Sequence, residues 1–345
     1  MLQSKDKVAI YMEGHLKSDF GKMGFGAVRY LANEIVAVID SAQSGRVMSD
    51  FMNTSRAIPV VASLEESIAL GAEVLLLGIA PVGGKIPDFW YETLDKAIDS
   101  GVSLINGLHD LLAPRYAGRL NQNWVWDVRV PQFIPAIGSA RALEHKGKRI
   151  LCVGTDNAVG KMTAGLELYS GLLKENRSVG FVATGQIGIT VTGGGIPLDA
   201  FKVDYATGAV ETAVLEHSDK DYIIIEGQGS LLNPSSTATL PLMRGSCPTH
   251  LILCMRGDKT TLRSNTQIKI PNLKEFIQLN ESLASVCGTY PEAKVIAIAV
   301  NTSMLSEAEA IAVKERIASE SGVPAFDPVR DGMEGFLEFV HFLND

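Results

Sequence analysis

An α/β fold of two parallel-sheet domains is predicted by three features of this 345-residue sequence. Short apolar, β-branched runs alternate with amphipathic stretches along the chain, the pattern of a parallel sheet with crossover helices. A stretch with two prolines and a glycine, Val130-Pro-Gln-Phe-Ile-Pro-Ala-Ile-Gly138, breaks that alternation. Soon after it an apolar strand runs through a glycine-bounded loop into a helix, the pattern of a phosphate loop. The expected architecture is a Rossmann-like N-terminal domain over residues 1–140 and a P-loop NTPase-like domain over residues 141–345.

In the first half, strands are expected at 7–12, 34–40, 59–62, 74–80, 102–106 and 124–129, with helical patterns at 27–31, 64–70 and 91–100. Ligands gather at the carboxyl ends of such strands. The first strand runs into Glu13-Gly-His and the glycine-rich segment 21–26, and the second ends on Asp40, where a dinucleotide fold keeps its ribose carboxylate. A later one runs into the segment 78–85. The glycine spacing does not fit G-x-G-x-x-G, so these segments read equally well as turns. His109-Asp110 is read as a surface histidine beside a helix cap. A linker is placed at 133–146. The second half repeats the rhythm, with strands at 148–153, 178–184, 222–226, 250–255, 294–301 and 324–326. A last helix, 335–343, would present Phe336, Phe339, Val340 and Leu343 as one packing stripe.

Composition narrows the function. With 46% hydrophobic and 20% charged residues the chain can bury proper cores, and a net charge of −8 argues against a nucleic-acid or anionic-membrane surface. The four cysteines show no C-x-x-C spacing, and Cys152 and Cys254 lie in apolar runs, so they read as buried free thiols rather than metal ligands. No apolar run is long enough to span a membrane and the N-terminus lacks a signal-peptide core, so a soluble cytoplasmic protein is expected.

The chemistry concentrates around Gly154, Thr155, Asp156, Asn157, Ala158, Val159, Gly160, Lys161, Met162 and Thr163. Backbone N–H groups of such a loop, the helix dipole and the Lys161 charge make an anion site, and Gly160 admits phosphate oxygens where a Cβ would clash. Leu166, Tyr169, Leu172 and Leu173 would form the buried face of the helix that follows. Met162 stands where a Walker loop carries its magnesium-ligating Ser or Thr, so the loop reads as a phosphate cradle with weakened metal chemistry and no metal site is assigned. A run of three isoleucines ends on Glu226, whose carboxylate would face the phosphates, with Gln228 and Ser230 on the same rim. The segment 183–199, rich in glycine and holding Gln186, Thr190, Thr192 and Asp199, is expected to be a mobile loop over the phosphate loop. Asn301 sits where such folds recognise adenine. Arg244, Arg256, Arg263 and Arg330 are the candidates for a substrate carboxylate.

Taken with Ile225-Glu-Gly-Gln-Gly and Val300-Asn301, the loop resembles the phosphate-loop domain of dethiobiotin synthetase. The whole chain, through Val38-Ile-Asp40, Gly78-Ile-Ala-Pro81, Gly107-Leu-His109, Ala183-Thr-Gly-Gln186, Glu226-Gly-Gln-Gly-Ser230 and Asp327-Pro-Val-Arg330, resembles the bacterial D-glutamate N-acetyltransferase family, formerly a family of unknown function. The resemblance implies transfer from acetyl-CoA to D-glutamate and a partner N-acetyl-D-glutamate racemase; a homo-oligomer, a dimer, is expected as well. Glu226 would be the base, Gln186 and Ser230 would assist catalysis, and Gln228, Arg330 and Asp199 would hold the acceptor. The phosphate-loop residues and Asn301 would hold the cofactor. An ATP-dependent kinase or ligase acting on a carboxylate substrate, for which ATP and magnesium would be the cofactors, and a nucleotide-binding regulator without turnover, remain the alternatives.

Overall fold

The computed structural model describes residues 2–18, 20–81 and 83–332, so the expected helix at 335–343 lies outside the described residues. In chain order the strands are β1 (Val8–Tyr11), β2 (Ile35–Ile39), β3 (Val60–Val61), β4 (Val74–Leu77), β5 (Ser103–Asn106), β6 (Val125–Asp127), β7 (Lys148–Gly154), β8 (Val179–Val182), β9 (Tyr222–Ile225), β10 (His250–Arg256), β11 (Lys294–Asn301) and β12 (Ala325–Phe326). The helices are α1 (Lys22–Tyr30), α2 (Leu64–Ala69), α3 (Tyr91–Asp99), α4 (Ala113–Tyr116), α5 (Lys161–Lys174), α6 (Gln186–Thr192), α7 (Val203–Leu215), α8 (Thr239–Ser246), α9 (Leu273–Ala284) and α10 (Glu307–Ser321). The strands form two six-stranded sheets, ordered β3-β2-β1-β4-β5-β6 and β12-β11-β10-β7-β9-β8. Every strand pairing within them is parallel. Strands such as Val8–Tyr11 and Tyr222–Ile225 are buried at every residue, as expected of a parallel sheet covered on both faces.

The chain divides into two compact units, Met1–Pro131 with Gln186–Ala200, and Gln132–Gly185 with Phe201–Asp345. The first carries the Rossmann strand order, with a core built from Tyr11, Leu77, Trp90, Leu94 and Tyr116 among others. Its α1 begins at Lys22, five residues before the expected helical pattern, and takes in Gly24 and Gly26. The segment 183–199 was expected to be a mobile loop, but Gln186–Thr192 is helical and packs on α1. Buried Ile189 and Thr190 anchor it, and the Thr190 hydroxyl donates back to the Gln186 carbonyl at 2.8 Å, so burial outweighs the cost of glycine in a helix. Asp199, at the end of this segment, pairs with Arg129, whose Nε donates to the Gly107 carbonyl at 2.7 Å.

In the second unit, α5 buries Leu166, Leu168 and Leu172, and Tyr169 stacks on Phe181 at 5.5 Å. Leu173, expected on that face, is 46% exposed because it falls one position past the stripe. The proline-rich linker is fastened rather than loose. Glu211, fully buried on α7, accepts the N–H groups of Arg141 (2.7 Å) and Ser139 (3.1 Å) and the Arg141 Nε (3.0 Å). A Cβ on Gly208 would lie 1.7 Å from the Ala136 carbonyl, so the linker backbone rests directly on α7.

Burial alone would raise the Glu211 pKa, but the Arg141 and Ser139 donors bring it below the usual range. Its contribution to stability is therefore present at neutral pH and lost as the pH falls through the carboxylate range. Glu211→Ala should cost about 2–4 kcal/mol in urea unfolding near neutral pH, the scale of a broken buried charge network. A loss below about 0.5 kcal/mol, the range of a neutral surface change, would show that Glu211 does not hold the linker.

Candidate active site

Strand β7 lies between β9 and β10, and the phosphate loop leaves its carboxyl end. Gly160 turns the loop into α5 at φ +106°, a conformation that a side chain strains, while the space beside it is open as far as the Asn301 Cβ at 3.9 Å. Lys161 is 6% exposed, and its Nζ donates to the Asp156 carbonyl at 2.7 Å. Burial pushes its ammonium below the usual lysine range, opposed by Cys254, Asp156, Cys152 and Glu226. The Thr155 N–H is tied to the Cys254 carbonyl at 3.0 Å, and its buried hydroxyl has no hydrogen-bond partner among the described residues. Met162 and Thr163 follow, half-buried, on the first turn of α5.

Glu226, one residue past β9, is 5% exposed. Its Oε2 accepts the N–H groups of Thr184 (2.8 Å) and Gly185 (3.1 Å), which leaves Oε1 as the oxygen to take a proton. Burial pushes its pKa up to about 7, against the opposing pull of those two N–H groups and of Lys161. Gly227 presses the two strands together: a Cβ there would sit 1.6 Å from the Cys152 carbonyl and 2.9 Å from the Lys161 side chain. Cys152 and Cys254 are buried free thiols, as the sequence implied. Their mutual hydrogen bond and burial push the Cys152 thiol well up, so they serve as uncharged floor. Half-buried Gln228 donates to the Thr184 carbonyl, and the Thr184 hydroxyl donates to the Glu226 carbonyl at 2.9 Å.

The second unit thus gathers the phosphate loop, Lys161, Glu226 and Gln228, with Asn301 beside Gly160. Gln186 and Asp199 belong to the first unit, where a Cβ on Gly107 would touch the Gln186 side chain at 3.2 Å. Ser230, 2% exposed, shapes its own loop, accepting the Leu232 N–H at 3.1 Å. Arg330 is held by Glu307 at 2.7 Å and by the Thr302 and Leu305 carbonyls. Arg256 makes two bonds to Asp258 (2.9 and 3.0 Å), and Arg244 reaches the Leu283 carbonyl at 2.8 Å. Among the described residues no cluster of three His, Cys, Asp or Glu is placed to hold a metal. One contributor escaped the sequence reading. Asn233 donates to the Asp156 carboxylate at 2.7 Å, and its only signal was a polar run after the glycine-rich turn.

The Rossmann crevice of the first unit is filled from within. Met12, fully buried, lies so close to Gly21, Gly24 and Gly78 that a Cβ on each would come within 2.7, 2.3 and 2.6 Å of it. Asp40 is covered as well, its Oδ2 accepting the Leu16 N–H at 3.0 Å. These glycines pack a helix onto a methionine, not onto a pyrophosphate.

Fold and site together define a two-domain α/β protein in which a Rossmann-like domain precedes a phosphate-loop domain. The chain belongs to the DUF1611 family, matching its Rossmann-like N-terminal domain over residues 41–131 and its C-terminal P-loop domain over residues 136–337. It is similar to the D-glutamate N-acetyltransferase of a Pseudoalteromonas species, at 35% identity over 80% of this chain and 83% of that one. It is likewise similar to the D-glutamate N-acetyltransferase of Tritonibacter scottomollicae, at 38% identity over 78% and 81%. The crystal structure of a DUF1611 family protein from Anabaena variabilis superposes with a TM-score of 0.93 at 40% identity, covering 98% of this chain and 100% of that one. Among the described residues no helix is long and apolar enough to cross a membrane.

The raised pKa of Glu226 has a consequence for stability. Its proton is held more tightly in the native state, so the stabilising contribution is whole below the unfolded value of 4.5 and is lost as the pH rises through about 7. Glu226→Gln removes that loss and should stabilise the fold at about pH 8 by on the order of 3 kcal/mol, and not at about pH 4. Urea unfolding at both pH values checks it, and an equal effect at the two would contradict the elevated pKa.

Proposed function

We propose that this chain, an amino-acid N-acetyltransferase like its relatives, transfers acetyl from acetyl-CoA to D-glutamate, with its phosphate loop holding the CoA phosphates. The observation that carries the reading is the placement of Glu226, a nearly buried carboxyl whose Oε2 takes the Thr184 and Gly185 N–H groups and whose neighbour Gly227 packs on Lys161, with burial pushing its pKa up to about 7. A group that titrates near neutrality suits general-base catalysis.

The loop fits a phosphate-bearing acyl carrier. Lys161 supplies charge, the buried Thr155 hydroxyl an unpaired donor, and the turn at Gly160 open space. Met162 in place of a hydroxyl suits a ligand that binds without magnesium. Glu226 Oε1 takes a proton from the D-glutamate ammonium, and the freed amine attacks the thioester carbonyl. That first proton passes from Glu226 to solvent; a C–N bond forms, the C–S bond breaks, and the attacking nitrogen's second proton goes through Glu226 to the departing thiolate. Neutral donors such as Gln228 and the N–H of Gly227 would stabilise the developing oxyanion. The product, N-acetyl-D-glutamate, is a substrate for a racemase.

Incubation with acetyl-CoA and D-glutamate should release free thiol, in the presence of EDTA as well as without it. ADP formation from ATP and magnesium, with no thiol release, would favour a kinase or ligase instead. Lys161→Ala should weaken CoA binding by ~2–3 kcal/mol in calorimetric titration, the scale of a charge-assisted bond. Glu226→Gln should lower kcat roughly 10²–10⁴-fold, leave CoA affinity near its parent value and flatten the acidic limb of the pH–rate profile. Near-normal turnover in that variant would remove Glu226 from the mechanism.

A further inference from the structure

We infer that Asn233 is a positioning residue which, through the Asp156 carboxylate, holds the phosphate loop in its anion-binding shape. The inference rests on the reading of this loop as the cofactor cradle.

Asp156 is a carboxylate buried inside a loop meant for anions, and its repulsion of phosphate requires a reason. It is 5% exposed and ties three loops together. Its Oδ1 accepts the Asn157 N–H (2.7 Å) and the Asn233 Nδ2 (2.7 Å), while its Oδ2 accepts the Arg263 N–H (2.7 Å). These donors come from the phosphate loop itself, the loop after β9 and the loop after β10. The Asp156 carbonyl, on the same residue, receives the Lys161 ammonium. The backbone of Asp156 thus sets where the lysine charge rests, and its side chain sets where that backbone lies.

Asn233 is built to be that donor. It is 6% exposed, and its Oδ1 accepts the Ser235 N–H (3.0 Å) and hydroxyl (2.7 Å), which obliges its NH₂ to face Asp156. The same loop is closed by the Ser230 N–H on the Ser236 hydroxyl at 2.9 Å. Gly229, at φ +73°, leaves room for that hydroxyl, since a Cβ would meet it at 1.8 Å. The stretch that begins at Glu226 therefore ends by gripping the phosphate loop. Base and cradle are registered to each other through one folded segment.

The test measures Kd for CoA and, as a separate probe, for ADP by calorimetry, with kcat and KM for acetyl transfer on the same preparations. Asn233→Ala should raise Kd for the bound ligand and KM for acetyl-CoA roughly 10–100-fold, with kcat changed less than about threefold. Asn233→Asp supplies a readout that a merely structural role would not move. It sets a second carboxylate against Asp156, so the two share a proton at low pH and repel at high pH. Its affinity relative to the parent should fall as the pH rises from about 5 to about 8.

Lowered melting temperature with parental Kd in both variants would overturn the inference, leaving Asn233 as scaffold alone. If the parent binds ADP but not CoA, and Asn233→Ala weakens ADP, the clamp stands and the acetyl-CoA reading falls. A parent that binds neither probe sinks both.

Discussion

Two charged groups withdrawn from water at the carboxyl edge of one sheet set the terms for the rest of the second unit. Lys161 and Glu226 are both nearly inaccessible, and burial pushes each toward its neutral form. Either one alone would be costly, and each lowers the cost of the other. Their proximity requires that β7 and β9 approach closely, which is why Gly227 lies against the Cys152 carbonyl with no room for a methyl group. Uncharged thiols beneath them keep the floor apolar, so the lysine and the carboxyl answer mainly to each other and to whatever enters the loop.

Nearly all of the sheet architecture was legible in the sequence, because buried parallel strands are continuous apolar runs and each expected strand coincides with an observed one within a few residues. The phosphate loop and Glu226 were legible because glycine spacing and a carboxylate ending an isoleucine run are local signals. What misled were segments whose conformation is decided by distant partners. The helix Gln186–Thr192 forms because Ile189 and Thr190 are buried, and no property of its own glycines predicts that. The arginines looked available in sequence, yet Arg330 is held by Glu307, 23 positions away and brought to it only by folding, while Arg256 is taken by Asp258 two residues on. Asn233 was invisible for the same reason, lying 77 positions from the carboxylate it serves.

The first unit shows how a fold keeps its topology while its customary cavity is filled. Strand order β3-β2-β1-β4-β5-β6 leaves a crevice between β1 and β4, and Met12 occupies it. Glycines at 21, 24 and 78 then serve close packing, with the Gly24 N–H on the Gly78 carbonyl at 2.7 Å. Burial pushes the Asp40 carboxyl up from its usual range, the behaviour of a group sealed beneath a loop rather than one offered to a ribose. In this unit the glycines of the first crossover serve thioether packing.

The path of the chain bears on the order of synthesis. The first unit is not a single stretch: it takes back Gln186–Ala200 after the second unit has begun. A ribosome delivers β1 to β6 first, and α1 then waits with the surface that α6 will cover still bare. By the time α6 emerges, β7, α5 and β8 are already out, lacking β9 and β10 on either side of β7. A first sheet with all six strands but without its α6 cover then coexists with a second sheet of which only β7 and β8 have emerged, a condition that favours mispairing. The first unit therefore cannot be completed until the phosphate loop and its helix have already been made.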